Sequence, residues 1–209
     1  MPLDLHKGEK ITAESLRKSN KGEALQKVRL GLSWTMKPGL DADLDASVVL
    51  LGNDGMMWAE DSIVFYHKLE SNDGAIKHTG DVREGGSEDQ EGDNDDENII
   101  IDLSKVSVST QAILAVITSY PDDDRPNEPI RFGSVKNATV KLYSEDSNGS
   151  HLLCSFDLTE DISAYTAMEM AKLTRDGDSW SFEAIGRGIG EGRTPNGLED
   201  VLKKYSRWF

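Results

Sequence analysis

Two stretches of the chain carry carboxylates at a density and spacing that could bind a metal ion. In the first, Asp41, Asp43 and Asp45 recur at every second residue. In the second, residues 84–97 contain eight acidic residues and no basic one. Carboxylates this close disfavour each other's charged form unless a cation neutralises them, and Ca²⁺ takes six to eight oxygen ligands at about 2.3–2.6 Å. We therefore expect a calcium site if the two stretches meet in space. The alternative is that the second stretch is a solvated, disordered loop.

Two strands would position these carboxylates. Alternate residues of an extended chain point to the same side, so the three aspartates of the first stretch would present their carboxylates together. Apolar strands are predicted at residues 46–51 and 98–103, directly after the two acidic stretches. An EF-hand is excluded, because positions six and twelve counted from Asp41 are Ala46 and Gly52 instead of glycine and glutamate. The predicted site is therefore assembled from separate loops of a sheet scaffold.

The wider hydrophobic pattern predicts an all-β fold. Residues 28–34 and 138–143 alternate between apolar and polar side chains, which is typical of half-buried strands. Residues 166–174 have a helix-favouring composition, but a hairpin-like turn before residues 180–185 favours a strand. Many short strands separated by turn residues favour a two-sheet β-sandwich, to which we assign residues 1–190.

Residues 191–209 form a separate C-terminal helical tail in this interpretation. Residues 186–192 contain four glycines and predict a flexible link. Thr194 and Pro195 suit the cap and the first position of a helix. One face of this helix is apolar, and it consists of Leu198, Val201, Leu202 and Tyr205. This face either packs back onto the sandwich or docks a partner.

Composition restricts the class of function. The 209 residues carry a net charge of −15, which excludes nucleic-acid binding through a general basic surface. No apolar run reaches the roughly 18 residues of a transmembrane helix, and the N-terminus lacks a signal-peptide pattern, so we expect an intracellular protein. The single cysteine, Cys154, lies in an apolar run, which predicts a buried and unreactive thiol.

Patterns typical of enzymes are absent from the sequence. We find no Ser–His–Asp order, no phosphate-binding loop and no pair of redox cysteines, and the four histidines lack zinc-ligand spacing. Paired carboxylates can cleave glycosidic bonds, but so many acids together favour a metal ion over a single acid with a raised pKa. We therefore expect a protein that is not an enzyme. Among the histidines, His78 is the one of most interest, because it lies near Asp81.

Several motifs occur in a fixed order along the chain. They are residues 40–47 (LDADLDAS), 78–81 (HTGD), 92–97 (GDNDDE), 101–106 (IDLSKV), 132–138 (FGSVKNA), 166–168 (TAM) and 180–186 (WSFEAIG). Together these motifs, which fall within residues 24–190, resemble those of the TerD family of tellurium-resistance and stress-response proteins.

The resemblance implies a β-sandwich whose two acidic stretches hold calcium, usually as a pair of ions, in a bacterial cytoplasmic protein. It also implies other stress-response proteins at the inner face of the membrane as partners. The ligands implied by the resemblance are Asp41, Asp43, Asp45, Asp81, Asp93, Asp95, Asp96 and Glu97. Residues 84–91 would be an acidic insertion that strengthens the negative field without touching the metal.

Two other functions stay open at this point. One is a calcium-dependent adaptor at a membrane surface, in which the ion bridges carboxylates and lipid phosphates. The other is a module that binds a small ligand. A direct action on tellurite is not expected, because an oxyanion is not attracted to an acidic site without its metal.

Overall fold

The computed structural model describes residues 2–37, 43–80, 95–121, 126–158, 163–190 and 194–209. Twelve strands and two α-helices lie in these ranges. The strands are β1 (Leu3–Leu5), β2 (Lys10–Ile11), β3 (Lys27–Met36), β4 (Asp43–Leu51), β5 (Ile63–Val64), β6 (Ile76–His78), β7 (Glu97–Asp102), β8 (Ala112–Tyr120), β9 (Val135–Asp146), β10 (Gly149–Leu158), β11 (Ala167–Asp176) and β12 (Ser179–Ile189). The helices are α1 (Ala13–Ser19) and α2 (Gly197–Tyr205), and a 3₁₀ turn covers Phe132–Ser134.

The strands form two six-stranded sheets, which confirms the predicted all-β, two-sheet sandwich. Sheet I has the order β1-β10-β9-β3-β7-β6, and sheet II has the order β2-β12-β11-β8-β4-β5. All pairings are antiparallel within the described residues except that of β1 with β10. Strands far apart in sequence therefore lie side by side, and β3 pairs with both β7 and β9.

Alternation along each strand divides its side chains between the interior and the outside. On β3, Val28, Leu30, Leu32 and Trp34 belong to the core between the sheets, as their spacing predicts. On β4, Leu44, Ala46 and Val48 enter the same core, whereas Val49 and Leu51 lie on the outer face of sheet II. By this alternation, Asp45 lies on the outer face as well.

Helix α2 covers part of the outer face of sheet II. Leu198, Val201 and Tyr205 are buried in a second apolar cluster with Val49 of β4 and residues of β5, β8, β11 and β12. Of the two alternatives for this face, the structure therefore shows the one in which it packs back onto the sandwich. No helix of the described chain is long and apolar enough to cross a membrane.

Two local predictions for the C-terminal segment are wrong. The α2 cap is Asn196 instead of Thr194, because the Asn196 side chain accepts a hydrogen bond from the Leu198 N–H, while the Thr194 hydroxyl donates to Asp200. The glycine-rich residues up to 189 belong to β12 and form no link. Gly186 has a positive φ of 61° where β12 carries one extra residue against β11, so glycine serves a bulge there.

Cys154 lies in the interior, as predicted. Its side chain is buried among the core residues of sheet I. Burial raises the pKa of the thiol to about 12, so the reactive thiolate is scarce at neutral pH.

Candidate metal centre

The structure describes some of the eight predicted ligands and leaves others outside its ranges. Asp41, Asp81 and Asp93 lie outside the described residues, as does the predicted insertion at 84–91. The backbone of Asp43 begins β4. The side chains that the structure describes are those of Asp45, Asp95, Asp96 and Glu97.

The two acidic stretches meet where β4 and β7 begin. Both strands start earlier than predicted, at Asp43 and Glu97, so the last carboxylates of each stretch are strand residues. Glu97 points into the interior, in line with Ile99 of the same strand, and its side chain is fully buried. One of its carboxylate oxygens accepts a hydrogen bond from the Ala46 N–H at 2.5 Å. This contact joins the second acidic stretch to the residue directly after Asp45.

His78 completes this junction from the neighbouring strand β6. Its Nε2 lies 3.1 Å from the Ala46 carbonyl oxygen and 3.3 Å from the Glu97 carboxylate. The backbone N–H of Gly80 donates to Nδ1 at 3.1 Å, which the neutral ring with its proton on Nε2 can accept. Burial lowers the pKa of His78, but the hydrogen bond and charge of Glu97, with Asp45, outweigh it and raise the pKa above its ordinary value.

His78 and Glu97 take the place of a neighbouring strand at the edge of β4. Strand β5 pairs with β4 only at Val48 and Val49, so the N–H and C=O of Ala46 lie beyond its end. Buried backbone groups need hydrogen-bond partners, and these two side chains supply them. The pair therefore holds sheet I against sheet II at the acidic end of the molecule.

Asp96 performs a similar task at the end of β7. The ladder between β3 and β7 stops at Leu32 and Glu97. Beyond it, the Asp96 carboxylate accepts a hydrogen bond from the Trp34 N–H at 2.8 Å. A side chain thus extends the strand pairing by one position and fixes the start of β7.

Asp95 is held on the outer face of sheet I by two cations. Its side chain is fully buried, with one oxygen 2.8 Å from Arg29 and the other 2.9 Å from Lys141. The carboxylate lies over Gly31, where a Cβ would collide with it. Two neighbouring positive charges already balance this carboxylate, which favours an anchoring role for Asp95 over that of a metal ligand.

These contacts restrict what the described residues can do chemically. Within the described ranges, no three carboxylate, imidazole or thiol groups are arranged to hold a metal ion. A complete calcium site at this end would need donors from residues 38–42 and 81–94 in addition to Asp45, Asp96 and Glu97. The ligand assignments made from the sequence stay predictions.

A second charged centre, on sheet II, was not predicted from the sequence. Glu169 of β11 is fully buried on the outer face beneath α2. It accepts hydrogen bonds from Arg187 of β12 and from Lys204 and Tyr205 of α2. Burial raises the pKa of Glu169, but these hydrogen bonds outweigh it and hold the pKa below its ordinary value. The available signal was a single acid inside the apolar run of residues 167–171.

The fold and this carboxylate-rich end define the chain as an acidic, double-sheet β-sandwich protein. Within that class the chain belongs to the TerD family, because the TerD domain family model matches residues 1–205. The tellurium resistance protein TerD of Serratia marcescens is 34% identical over 207 residues, which cover 98% of this chain and 97% of that protein. General stress protein 16U of Bacillus subtilis is 37% identical over 191 residues, covering 90% and 91% of the two chains. The resemblance seen in the motifs is thereby confirmed.

The solved structures agree on the fold. A crystal structure of a homologue of the telluride resistance protein (TerD) from Streptomyces coelicolor A3(2) superposes with a TM-score of 0.57. It covers 79% of this chain and 90% of its own, at 23% identity. The family match also extends past residues 24–190, where the motifs lie, and includes α2.

Proposed function

We propose that this chain is a calcium-binding, non-catalytic member of the stress-response proteins of its family, with a role in tolerance of tellurite or other chemical stress. The observation that carries the proposal is the contact between Glu97 and the N–H of Ala46. It brings the start of β4, with Asp43 and Asp45, against the start of β7. Calcium bound at this junction would neutralise carboxylates that otherwise repel one another.

The residues of the junction have separate tasks in this proposal. Asp43, Asp45, Asp96 and Glu97 supply donors from strand ends whose positions are set by backbone hydrogen bonds. The loop residues Asp41, Asp81 and Asp93 complete the oxygen shell for up to two ions. Asp95 aligns the second stretch through its cationic partners.

Bound calcium would supply stability and order to this end of the fold. A ligand that binds only the folded state stabilises it by about 2.7 kcal/mol when its concentration is 100 times the dissociation constant. Such a module would respond to calcium through its stability and loop structure instead of through catalysis. The names of the relatives given above support the link to stress and tellurium resistance.

Calorimetric titration of the chelator-treated protein with Ca²⁺ and then Mg²⁺ tests the proposal. We expect calcium to bind more tightly than magnesium, which holds fewer protein oxygens and keeps its waters. Asp43→Asn should weaken calcium binding at least about tenfold, because it removes a charged donor. Asp157→Asn is the matched control, since Asp157 is an exposed aspartate on β10, which β9 and β3 separate from β7 in sheet I. The absence of binding heat and of any melting shift at about 1 mM calcium would contradict the proposal.

A further inference from the structure

A cleft opens on the outer face of sheet II beside α2. It has a volume of about 450 Å³, which is within the range of small-molecule sites. Tyr205 of α2 lines the cleft, and its apolar lining consists of Ala112 and Leu114 on β8 and, on the far side of β11, Ile185 on β12. The floor of the cleft over β8 is therefore apolar.

The rim of this cleft is basic although the chain as a whole is strongly acidic. Among the described residues that line the cleft, Lys172, Arg175 and Arg187 are basic and Glu169 alone is acidic. The Glu169 carboxylate is buried and already accepts from Arg187, Lys204 and Tyr205. Arg187 and Lys204 together carry one more charge than the single Glu169 carboxylate that they contact, which leaves an excess of positive charge.

The individual cations leave room for an anionic ligand. Arg175 donates to the carbonyl oxygens of Thr110, Val106 and Ser107, which are neutral groups that do not balance its charge. Lys172 is paired with Glu183 at 3.1 Å, and both side chains are partly exposed. Such a surface ion pair is worth about 0–1 kcal/mol, so a phosphate group can replace it. The Arg187 side chain is 61% exposed to solvent.

We propose that this cleft binds a small organic anion of mononucleotide size. Its phosphate contacts Lys172 and Arg187, and its planar body lies on Ala112 and Leu114 of β8. Arginine and lysine side chains form charge-assisted hydrogen bonds with phosphate oxygens. The apolar floor excludes an inorganic anion as the preferred ligand, because that ion would leave the floor uncovered.

This site is independent of the proposed calcium centre. The cleft includes Leu51, at the opposite end of β4 from Asp43. Eight residue-to-residue steps along the strand separate them, a distance of about 26 Å. A phosphate that bound through calcium at the acidic end would therefore occupy a different place and would be lost in chelator.

Titration of the protein with AMP, in chelator and at low salt, tests the inference. Amide chemical shifts and calorimetry monitor the binding. Adenosine and inorganic phosphate serve as the two partial probes. We expect AMP to bind with a dissociation constant of about 1 mM or lower, with shifts on β8, β11 and β12. Adenosine and phosphate should each bind at least about tenfold more weakly.

Lys172→Gln and the charge reversal Lys172→Glu should weaken AMP binding by about tenfold and more than tenfold, respectively. Neither change touches the buried Glu169 cluster, and unchanged melting would show that both variants fold. Lys77→Gln is the matched control, because Lys77 is an exposed strand lysine paired with Glu70 on sheet I. Three results would each overturn the inference. The variants could bind AMP as tightly as the wild-type protein, adenosine or phosphate could bind as tightly as AMP, or the chemical-shift changes could be confined to the acidic end.

Discussion

Replacing Asp95 with asparagine should destabilise the protein even when no calcium is bound. The change keeps the shape of the side chain but removes its charge, which leaves Arg29 and Lys141 without their shared partner. These side chains are only 14% and 22% exposed. Loss of one member of a buried ion pair costs about 3–5 kcal/mol. Because Arg29 keeps its contact with Glu145 at 2.9 Å, we expect Asp95→Asn to lower the free energy of unfolding by about 2–3 kcal/mol.

Urea unfolding in chelator measures this difference directly. At about 2–4 °C per kcal/mol for a chain of this size, the melting temperature should fall by about 4–12 °C. Asp157→Asn is again the control, since its exposed carboxylate accepts only from Thr139 in the described contacts, and it should change stability by less than about 0.5 kcal/mol. If Asp95→Asn behaves like this control in chelator but abolishes calcium stabilisation, the anchoring role is refuted and Asp95 is a ligand.

Gly31 allows a second, independent test of the same anchor. Gly31 is not among the glycines with positive φ, so alanine suits its backbone, and the three atoms nearest to an added Cβ all belong to the Asp95 carboxyl group. Gly31→Ala should therefore be destabilising in the wild-type chain and close to neutral in an Asp95→Ala background. Additive effects in this double-mutant cycle would show that the two residues do not interact.

Two further predictions concern the second sheet and the core. Glu169→Gln should cost about 2 kcal/mol, less than a fully buried pair because the Arg187 and Lys204 side chains are 61% and 38% exposed. The pKa of Glu169 is lowered in the folded state, so the stability that its carboxylate contributes is present above the unfolded pKa of about 4.3 and is lost as the pH falls through the folded pKa. Between about pH 6 and pH 3, the free energy of unfolding should therefore decrease less in Glu169→Gln than in the wild-type protein. Parallel pH profiles of the two proteins would contradict this. The buried Cys154 thiol, with its pKa raised to about 12, should react with a disulfide reagent only after unfolding in urea, and rapid labelling of the native protein at neutral pH would show that the thiol is accessible.

The sequence predicted the sandwich because its strands alternate so regularly. On β3 and β9, apolar residues at every second position all enter the core between the sheets. Strand β11 was predicted correctly against the helix-favouring composition of residues 166–174, because burial on both faces of a sheet outweighs intrinsic propensity. The sequence also predicted that the two acidic stretches lie at strand ends, and β4 and β7 begin within them.

What the sequence could not predict depends on contacts between distant residues. Nothing local distinguishes Arg29 and Lys141 from other strand cations, and their common role becomes visible only when β3 and β9 are paired. The glycines of residues 186–189 suggested a link because a bulge and a linker use the same residue. The cap of α2 was displaced from Thr194 to Asn196 because Asp200 uses the Thr194 hydroxyl.

The described carboxylates at the acidic end are divided between the sheets by their geometry. Asp45 faces outward on sheet II, Glu97 faces inward from sheet I, and Asp95 lies on the outer face of sheet I. Each of the last two is held by its own partners, His78 with Ala46 for Glu97 and two cations for Asp95. The carboxylates of the two acidic stretches therefore do not form one uniform cluster. Asp95 only fastens strands, whereas Glu97 fastens strands and is also among the carboxylates at the β4–β7 junction for which calcium binding is proposed.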